Sequence, residues 1–266
     1  MLAEYAPDDG RVLAGGQSLV PTMAFRLARP HHLVDINGIE ALGRLGVEQD
    51  KLVIGAGVRH QAFHRPVVEV PLGVLLSAVM RHIAHYPIRT RGTFCGSIAH
   101  ADPASEWCLV AATLGAEMVA RSARGTRIIA AAAYFQGIMT TALAPDELLT
   151  EVRLPILSAE TRAGFYEFNR RAGDFAMGMA LVTFRLENGV IVDPHVGVGA
   201  AEPHPRRIAA AEALLTGRYP EAVVFQVAAE AASAAIDPLT DAQTDAVYRR
   251  ELVATVVRRA LEQTTG

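Results

Sequence analysis

The chain has 266 residues, 51% of them hydrophobic, and 25 Lys plus Arg against 28 Asp plus Glu, for a net charge of −3 at pH 7. That is enough apolar chain to bury a substantial core in one large domain or two ordinary ones, and the slightly acidic balance argues against a nucleic-acid protein, which would display a basic surface. The two cysteines, Cys95 and Cys108, exclude a cluster held by four thiolates and argue against a disulfide framework, and no apolar run reaches the length of a membrane span.

Residues 12–14 read as a buried strand, and Leu19, Val20 and Met23 have the spacing of one or two turns of helix. Between them lies Gly15-Gly16-Gln17-Ser18. Strand, tight glycine turn and helix start together form the geometry that turns backbone N–H groups toward phosphate. Glycine accepts positive φ and leaves the backbone open to a ligand, and Gln17 and Ser18 add side-chain donors. The segment lacks the Lys of a P-loop and the full G-x-G-x-x-G spacing, so taken by itself it also reads as an ordinary tight turn.

Residues 33–36 and 52–56 read as short strands separated by a turn at Asn37-Gly38 and a polar stretch ending at Asp50-Lys51. The spacing of Leu75, Leu76, Val79 and Ile83 predicts an amphipathic helix over 74–83, ended by Pro87. A second glycine-bearing polar loop follows, Gly92-Thr93-Phe94-Cys95-Gly96-Ser97, running into His100-Ala101-Asp102-Pro103. Its hydroxyls and carboxylate suit a ligand with phosphates, ribose hydroxyls and a heterocycle, while Asp102-Pro103 also reads as a helix N-cap followed by Pro at the first helical position.

From Trp107 the pattern carries a helix to Leu114, then strands over 117–120 and 126–130, a short helix over 131–136, and a strand over 148–154 ended by Pro155. The polar stretch 158–162 is the domain boundary. Beyond it, 183–186 and 190–192 form a hairpin across Asn188-Gly189, 196–199 is a third strand, Asp193-Pro194 is turn chemistry, and 208–215, 222–235 and 244–261 are helices. The architecture predicted is α+β in two domains, with both glycine loops in the first. Tyr86 and Trp107 are expected in the core, and His100 is expected to bond backbone.

Ala14-Gly15-Gly16-Gln17-Ser18-Leu19-Val20-Pro21, followed by Arg91-Gly92-Thr93-Phe94-Cys95-Gly96-Ser97-Ile98-Ala99-His100-Ala101-Asp102-Pro103-Ala104, resembles the FAD-binding medium subunit of molybdenum hydroxylases, the carbon monoxide dehydrogenase and xanthine dehydrogenase family. The likeness continues through Leu27-Ala28-Arg29-Pro30, Glu147-Leu148-Leu149, Arg170-Arg171-Ala172-Gly173-Asp174-Phe175-Ala176 and Pro205-Arg206. It implies a two-subdomain PCMH-type FAD-binding domain over 1–157 and a small C-terminal domain over 162–265, with a three-stranded antiparallel sheet and helices.

The resemblance further implies FAD as cofactor, bound in part by Ala14, with its pyrophosphate on the backbone of Gly15, Gly16, Gln17 and Ser18 and the cradle completed by Thr93, Gly96 and Ser97. Asp102 would bind a ribose or ribityl hydroxyl, Ala101 and Ile88 would line the cofactor, and Leu148 and Leu149 would pack near the adenine or the ring system. No residue is assigned as general acid, general base or metal ligand. The implied partners are a small 2Fe–2S subunit and a large molybdopterin subunit, assembled as a dimer of heterotrimers, with no nucleic acid and no transmembrane segment. Electrons would pass from the iron–sulfur clusters to this flavin and on to a quinone, NAD or oxygen, so the chain hydroxylates nothing alone. The start has no signal-peptide pattern, which places the protein in the cytoplasm.

Rival readings are a flavin-free assembly subunit and a free-standing flavin oxidoreductase. Two departures from the family pattern bear on FAD. Cys95 stands where a second glycine is usual, so its β-carbon either crowds the cofactor or points away. The strand and helix that precede the first loop in the family are missing or shortened here.

Overall fold

The computed structural model describes residues 1–69, 71–242 and 244–265. Ahead of the first loop lie a short helix, Leu2–Tyr5, and a 3-10 turn, Ala6–Asp8. β1 (Gly10–Leu13) and β2 (His32–Asp35) then pair in parallel, Gly10 opposite His32 and Leu13 opposite Asp35. The connection between them carries α1 (Leu19–Ala24). A two-stranded ladder is marginal by itself; this one is steadied by Val12 and Ala14, which pack on the first core.

The main sheet of the first domain is antiparallel: β3 (Leu45–Glu48), β4 (Lys51–Gly55), β5 (Glu117–Ser122), β6 (Gly125–Ala130) and β7 (Leu148–Pro155), in the order β3-β4-β7-β5-β6. β3 escaped the sequence reading because only Leu45 and Val47 mark it. α2 (Pro71–Met80) starts and ends earlier than predicted. Pro87 does not terminate it but opens a separate four-residue turn, Tyr86–Arg89, where a missing N–H is harmless. The second glycine loop is likewise more ordered than predicted, being mostly helix: α3 (Phe94–His100), followed by α4 (Glu106–Leu114).

The second domain is built on β8 (Arg162–Phe168), β9 (Gly178–Glu187) and β10 (Val190–Gly199), with the two-residue strand Arg206–Arg207 at the edge. Three long strands are therefore present, but not the three expected. The predicted strands 190–192 and 196–199 are one strand, and β8 is the third. Asp193-Pro194 lies inside β10 at a register shift between the pairs Thr183–His195 and Arg185–Val192, and a bulge tolerates proline because it requires no ladder N–H there.

Helices α5 (Ala209–Leu215), α6 (Ala222–Ala235) and α7 (Ala246–Glu262) cover one face of this sheet. On β9 successive side chains alternate between faces: Ala180, Val182 and Phe184 join the helices' core, whereas Met179 and Leu181 join the core of the first domain. α4 packs directly on the sheet, because a Cβ on Gly197 would lie 1.7 Å from Thr113 Oγ1. Glu106 and Glu167 are both buried at this seam. Burial is the main cause that raises Glu106 to about 8 and Glu167 to about 7.

Candidate functional site

The first glycine turn leaves β1 with Gly16 at φ 71°, a left-handed value that disfavours any side chain. Gly15 is required for a different reason. A Cβ there would sit 2.4 Å from the Arg91 carbonyl oxygen and 2.7 Å from Gly92 Cα. Two segments far apart in sequence are thus in backbone contact at their glycines. Gln17 Nε2 donates to the Gly15 carbonyl at 3.0 Å, so its amide stiffens the turn. Among the described residues, the backbone N–H groups of Gly15, Gly16, Gln17 and Ser18 donate to no protein acceptor.

The second turn is anchored in the core. His60 N donates to the Gly92 carbonyl at 2.9 Å and Phe94 N to the Val58 carbonyl at 3.0 Å. Thr93, only 2% exposed, caps α3 by accepting from Gly96 N at 3.0 Å. Gly96 permits that cap, since a Cβ on it would meet Thr93 Oγ1 at 2.5 Å. Phe94 packs against Trp107 and Phe63, with ring centroids 4.7 and 5.6 Å away. The N–H groups of Thr93 and Cys95 also lack protein acceptors among the described residues.

Cys95 resolves one open departure. Its side chain is buried and Sγ donates to the Ile54 carbonyl at 3.3 Å, so the β-carbon points into the core. Burial pushes the thiol well above its usual pKa, which leaves it unreactive. Trp107 Nε1 donates to His60 Nδ1 at 3.0 Å, which assigns the proton of neutral His60 to Nε2, against Gly92. Burial, with Arg89 and Arg59 nearby, lowers His60 to about 4.

The other predicted residues take varied places. The Ala14 carbonyl accepts from Asn37 Nδ2 at 2.8 Å. Ile88 supplies the carbonyl that accepts from Gly92 N at 2.7 Å. The Ser97 carbonyl accepts from Ala101 N at 3.0 Å, and Ala101 is buried at the left-handed C-cap of α3. Asp102 Oδ1 accepts from Ala104 N at 2.9 Å, making a local turn. It is not the N-cap of α4, a position held by Ser105. Leu148 is half-buried, whereas Leu149, next on β7, is in the core. Trp107 is in the core as expected, but Tyr86 is 62% exposed.

Sequence reasoning missed the residues that tie the turns together. Arg59 Nη1 donates to the Arg91 carbonyl, and Nη2 donates to Asn37 Oδ1 at 2.6 Å. Asn37 was legible only as a turn residue, and Arg59 carried no signal. Its role arises from contacts spanning 22 and 32 residues.

The backbone donors left without acceptors at two touching glycine turns, with the Arg59 cation beside them, fit the diphosphate of a dinucleotide. They present N–H groups and positive charge, and among the described residues no carboxylate bonds to them. The described residues contain no group of three or more His, Cys, Asp or Glu able to hold a metal ion, and no helix long and apolar enough to cross a membrane.

Comparison with known proteins agrees with this geometry. Residues 1–157 match the family described as FAD binding domain in molybdopterin dehydrogenase, and residues 163–264 match the CO dehydrogenase flavoprotein C-terminal domain. The chain is 36% identical to the nicotine 6-hydroxylase medium subunit of Paenarthrobacter nicotinovorans, over 96% of this chain and 89% of that one. It is 39% identical to the caffeine dehydrogenase subunit beta of Pseudomonas sp. (strain CBB1), over 82% of this chain and 74% of that one. Among solved structures, carbon monoxide dehydrogenase from Hydrogenophaga pseudoflava superposes with a TM-score of 0.93 at 32% identity, covering 99% of this chain and 94% of that one.

Proposed function

Because the chain belongs to the FAD-binding medium subunits of molybdenum hydroxylases, we propose that it is the electron-transfer flavoprotein of a heteromeric complex, taking electrons from iron–sulfur clusters on a small partner subunit and delivering them to an external acceptor. The chain is an FAD-dependent oxidoreductase component and resembles subunits of multi-subunit enzymes. The observation that carries the reading is the backbone contact between Gly15 and Gly92, with N–H groups on both turns left without protein acceptors.

In this proposal the N–H groups of Gly15, Gly16, Gln17, Ser18, Thr93 and Cys95 hold the pyrophosphate, together with Gly96 and Ser97 of the same turn. Ala14, Ile88, Ala101, Asp102, Leu148 and Leu149 flank the remainder of the cofactor. FAD supplies a two-electron centre that also exchanges single electrons, which suits a position between iron–sulfur clusters and an acceptor. The protein's task is to neutralise the phosphates, fix the ring and exclude bulk water. The partners proposed are a 2Fe–2S subunit and a large molybdopterin subunit, in a dimer of heterotrimers located in the cytoplasm. Substrate oxidation belongs to the large subunit; relatives named for nicotine, caffeine and carbon monoxide share the flavin subunit and differ in substrate.

The test is an absorption spectrum of the purified chain, before and after addition of FAD, with a pull-down from its source. Flavin bands and a co-purifying cysteine-rich chain are the expected result. Absence of flavin bands from both the reconstituted chain and the assembled complex would leave the flavin-free assembly reading.

A further inference from the structure

We infer that Arg59, seated on Asn37, is a positioning residue that locks the two glycine turns at the separation a diphosphate requires. The inference rests on the FAD reading above. An unbroken run of hydrogen bonds leads from the residue before one glycine to the residue before the other. The Ala14 carbonyl accepts from Asn37 Nδ2 at 2.8 Å, Asn37 Oδ1 accepts from Arg59 Nη2 at 2.6 Å, and Arg59 Nη1 reaches the Arg91 carbonyl. Asp35 holds the centre of this bracket, its Oδ1 accepting from Asn37 N at 2.9 Å and Nδ2 at 2.5 Å.

The arrangement fixes the orientation of the Asn37 amide. Its oxygen must face the guanidinium and its NH2 must face two oxygens, and a reversed amide would set donor against donor. It also demands arginine at position 59. Two acceptors on different segments match a planar fork with several N–H groups, which a single ammonium cannot replace. The Arg91 carbonyl that Arg59 holds is the same oxygen that a Cβ on Gly15 would strike, so bracket and glycine contact meet at one atom.

The first turn needs such a bracket because it hangs on a two-stranded ladder, whereas the second is built into the core. Donors that must be ordered when a ligand arrives subtract that ordering from affinity. Burial and the neighbouring Arg91 cation both disfavour charge on Arg59, a cost that a bound diphosphate offsets.

The experiment uses the full chain freed of flavin, with FAD binding followed by fluorescence quenching and ADP as a competing probe. R59A and N37A are each expected to raise the Kd for FAD and for ADP roughly 10- to 100-fold. R59K, which keeps the charge and loses the fork, is expected to lose about 10-fold or more. The double variant R59A/N37A should be little worse than R59A, since both cuts open the same run of bonds. In the flavin-free chain, amide exchange in the variants should quicken at Val20 and Thr22, whose N–H groups donate to the Gly16 and Ser18 carbonyls, while the β7 strand keeps its protection.

R59K binding both ligands as tightly as the unaltered chain would overturn the bracket and leave charge alone as the role of Arg59. Unaltered chain that binds FAD, with R59A and N37A matching it, would also overturn the bracket. Unaltered chain that binds no FAD would instead overturn the underlying flavin reading. Asn37 is exposed, so N37A and R59K carry the test if R59A fails to fold.

Discussion

The two glycine turns touch at one point and are held by opposite means. The second is a core element that reaches the surface: its Phe94 is fully buried, its Thr93 caps a helix from inside, and His60 and Trp107 pack behind it. The first is a surface element that reaches inward, with no fully buried residue from Gly10 to Ala24, and it is tied to the second through Asn37, which holds the Ala14 carbonyl, and Arg59, which joins Asn37 to the Arg91 carbonyl. Packing of buried rings dominates in the one, whereas the other has only the half-buried Val12 and Ala14 against the core and leans on polar bonds. A split site of this kind pairs a rigid half with a half whose position is set by a few replaceable bonds. Damage to the second turn should therefore show as lost stability, and damage to the first as lost affinity.

The largest effect that would separate them is Phe94→Ala. Removing this ring from between Trp107 and Phe63 is expected to cost about 3–5 kcal/mol in chemical denaturation. A cost as small as that of a surface substitution would break the contrast.

Acid gives the next largest effect, and His60 sets its sign. Its folded pKa of about 4 lies below the model-compound 6.5, so the unfolded chain takes up the proton first. The stability this group contributes is complete above pH 6.5 and is lost as pH falls through about 4, roughly 3 kcal/mol in all. His60→Gln should flatten that acid limb of a stability–pH profile. Glu106 and Glu167 act in the opposite sense at the domain seam. Their raised folded values mean that stability present below pH 4.5 is lost as pH rises through 7 to 8. Glu106→Gln should flatten the alkaline limb and leave the acid limb alone.

Gly15→Ala is the corresponding test of the first turn. Its methyl would meet the Arg91 carbonyl and push the turns apart, weakening FAD by about 30-fold while the melting temperature falls little. A melting temperature that fell as far as that of Phe94→Ala would show the first turn to be core after all. The smallest effect belongs to Thr93→Ala, which removes a helix cap for about 1 kcal/mol. It sharpens the comparison because the Thr93 cap orders the turn that carries the Thr93 and Cys95 N–H groups of the proposed cradle, so stability and flavin affinity should fall together.

Much of this was legible in the sequence, and what was not has a common cause. Gly15-Gly16 and the run from Gly92 to Gly96 announced themselves because glycine marks backbone that must turn or be approached. Helices α6 and α7 followed from periodicity. The second turn read as loop because its composition is polar and small; what makes it helix is the Thr93 cap and the burial of Phe94 and Ile98, set by chain distant in sequence. β10 read as two strands because Pro194 breaks the local pattern, and the bulge that admits it is visible only against β9. Asp35 gives Asn37 its local turn, but the bonds that make the bracket, from Asn37 to Ala14 and from Arg59 to Asn37 and Arg91, each span more than twenty residues, beyond the reach of any local signal.

The β9 strand, clad on both faces, bears on how this subunit can be divided. Met179 and Leu181 are buried against the first domain as fully as Val182 and Phe184 are against the helices. A gene fragment for residues 163–264 would yield a sheet with one bare side, prone to clump with its own kind. Although two family signatures lie side by side in the chain, they make a single cassette, to be exchanged between complexes whole or not at all.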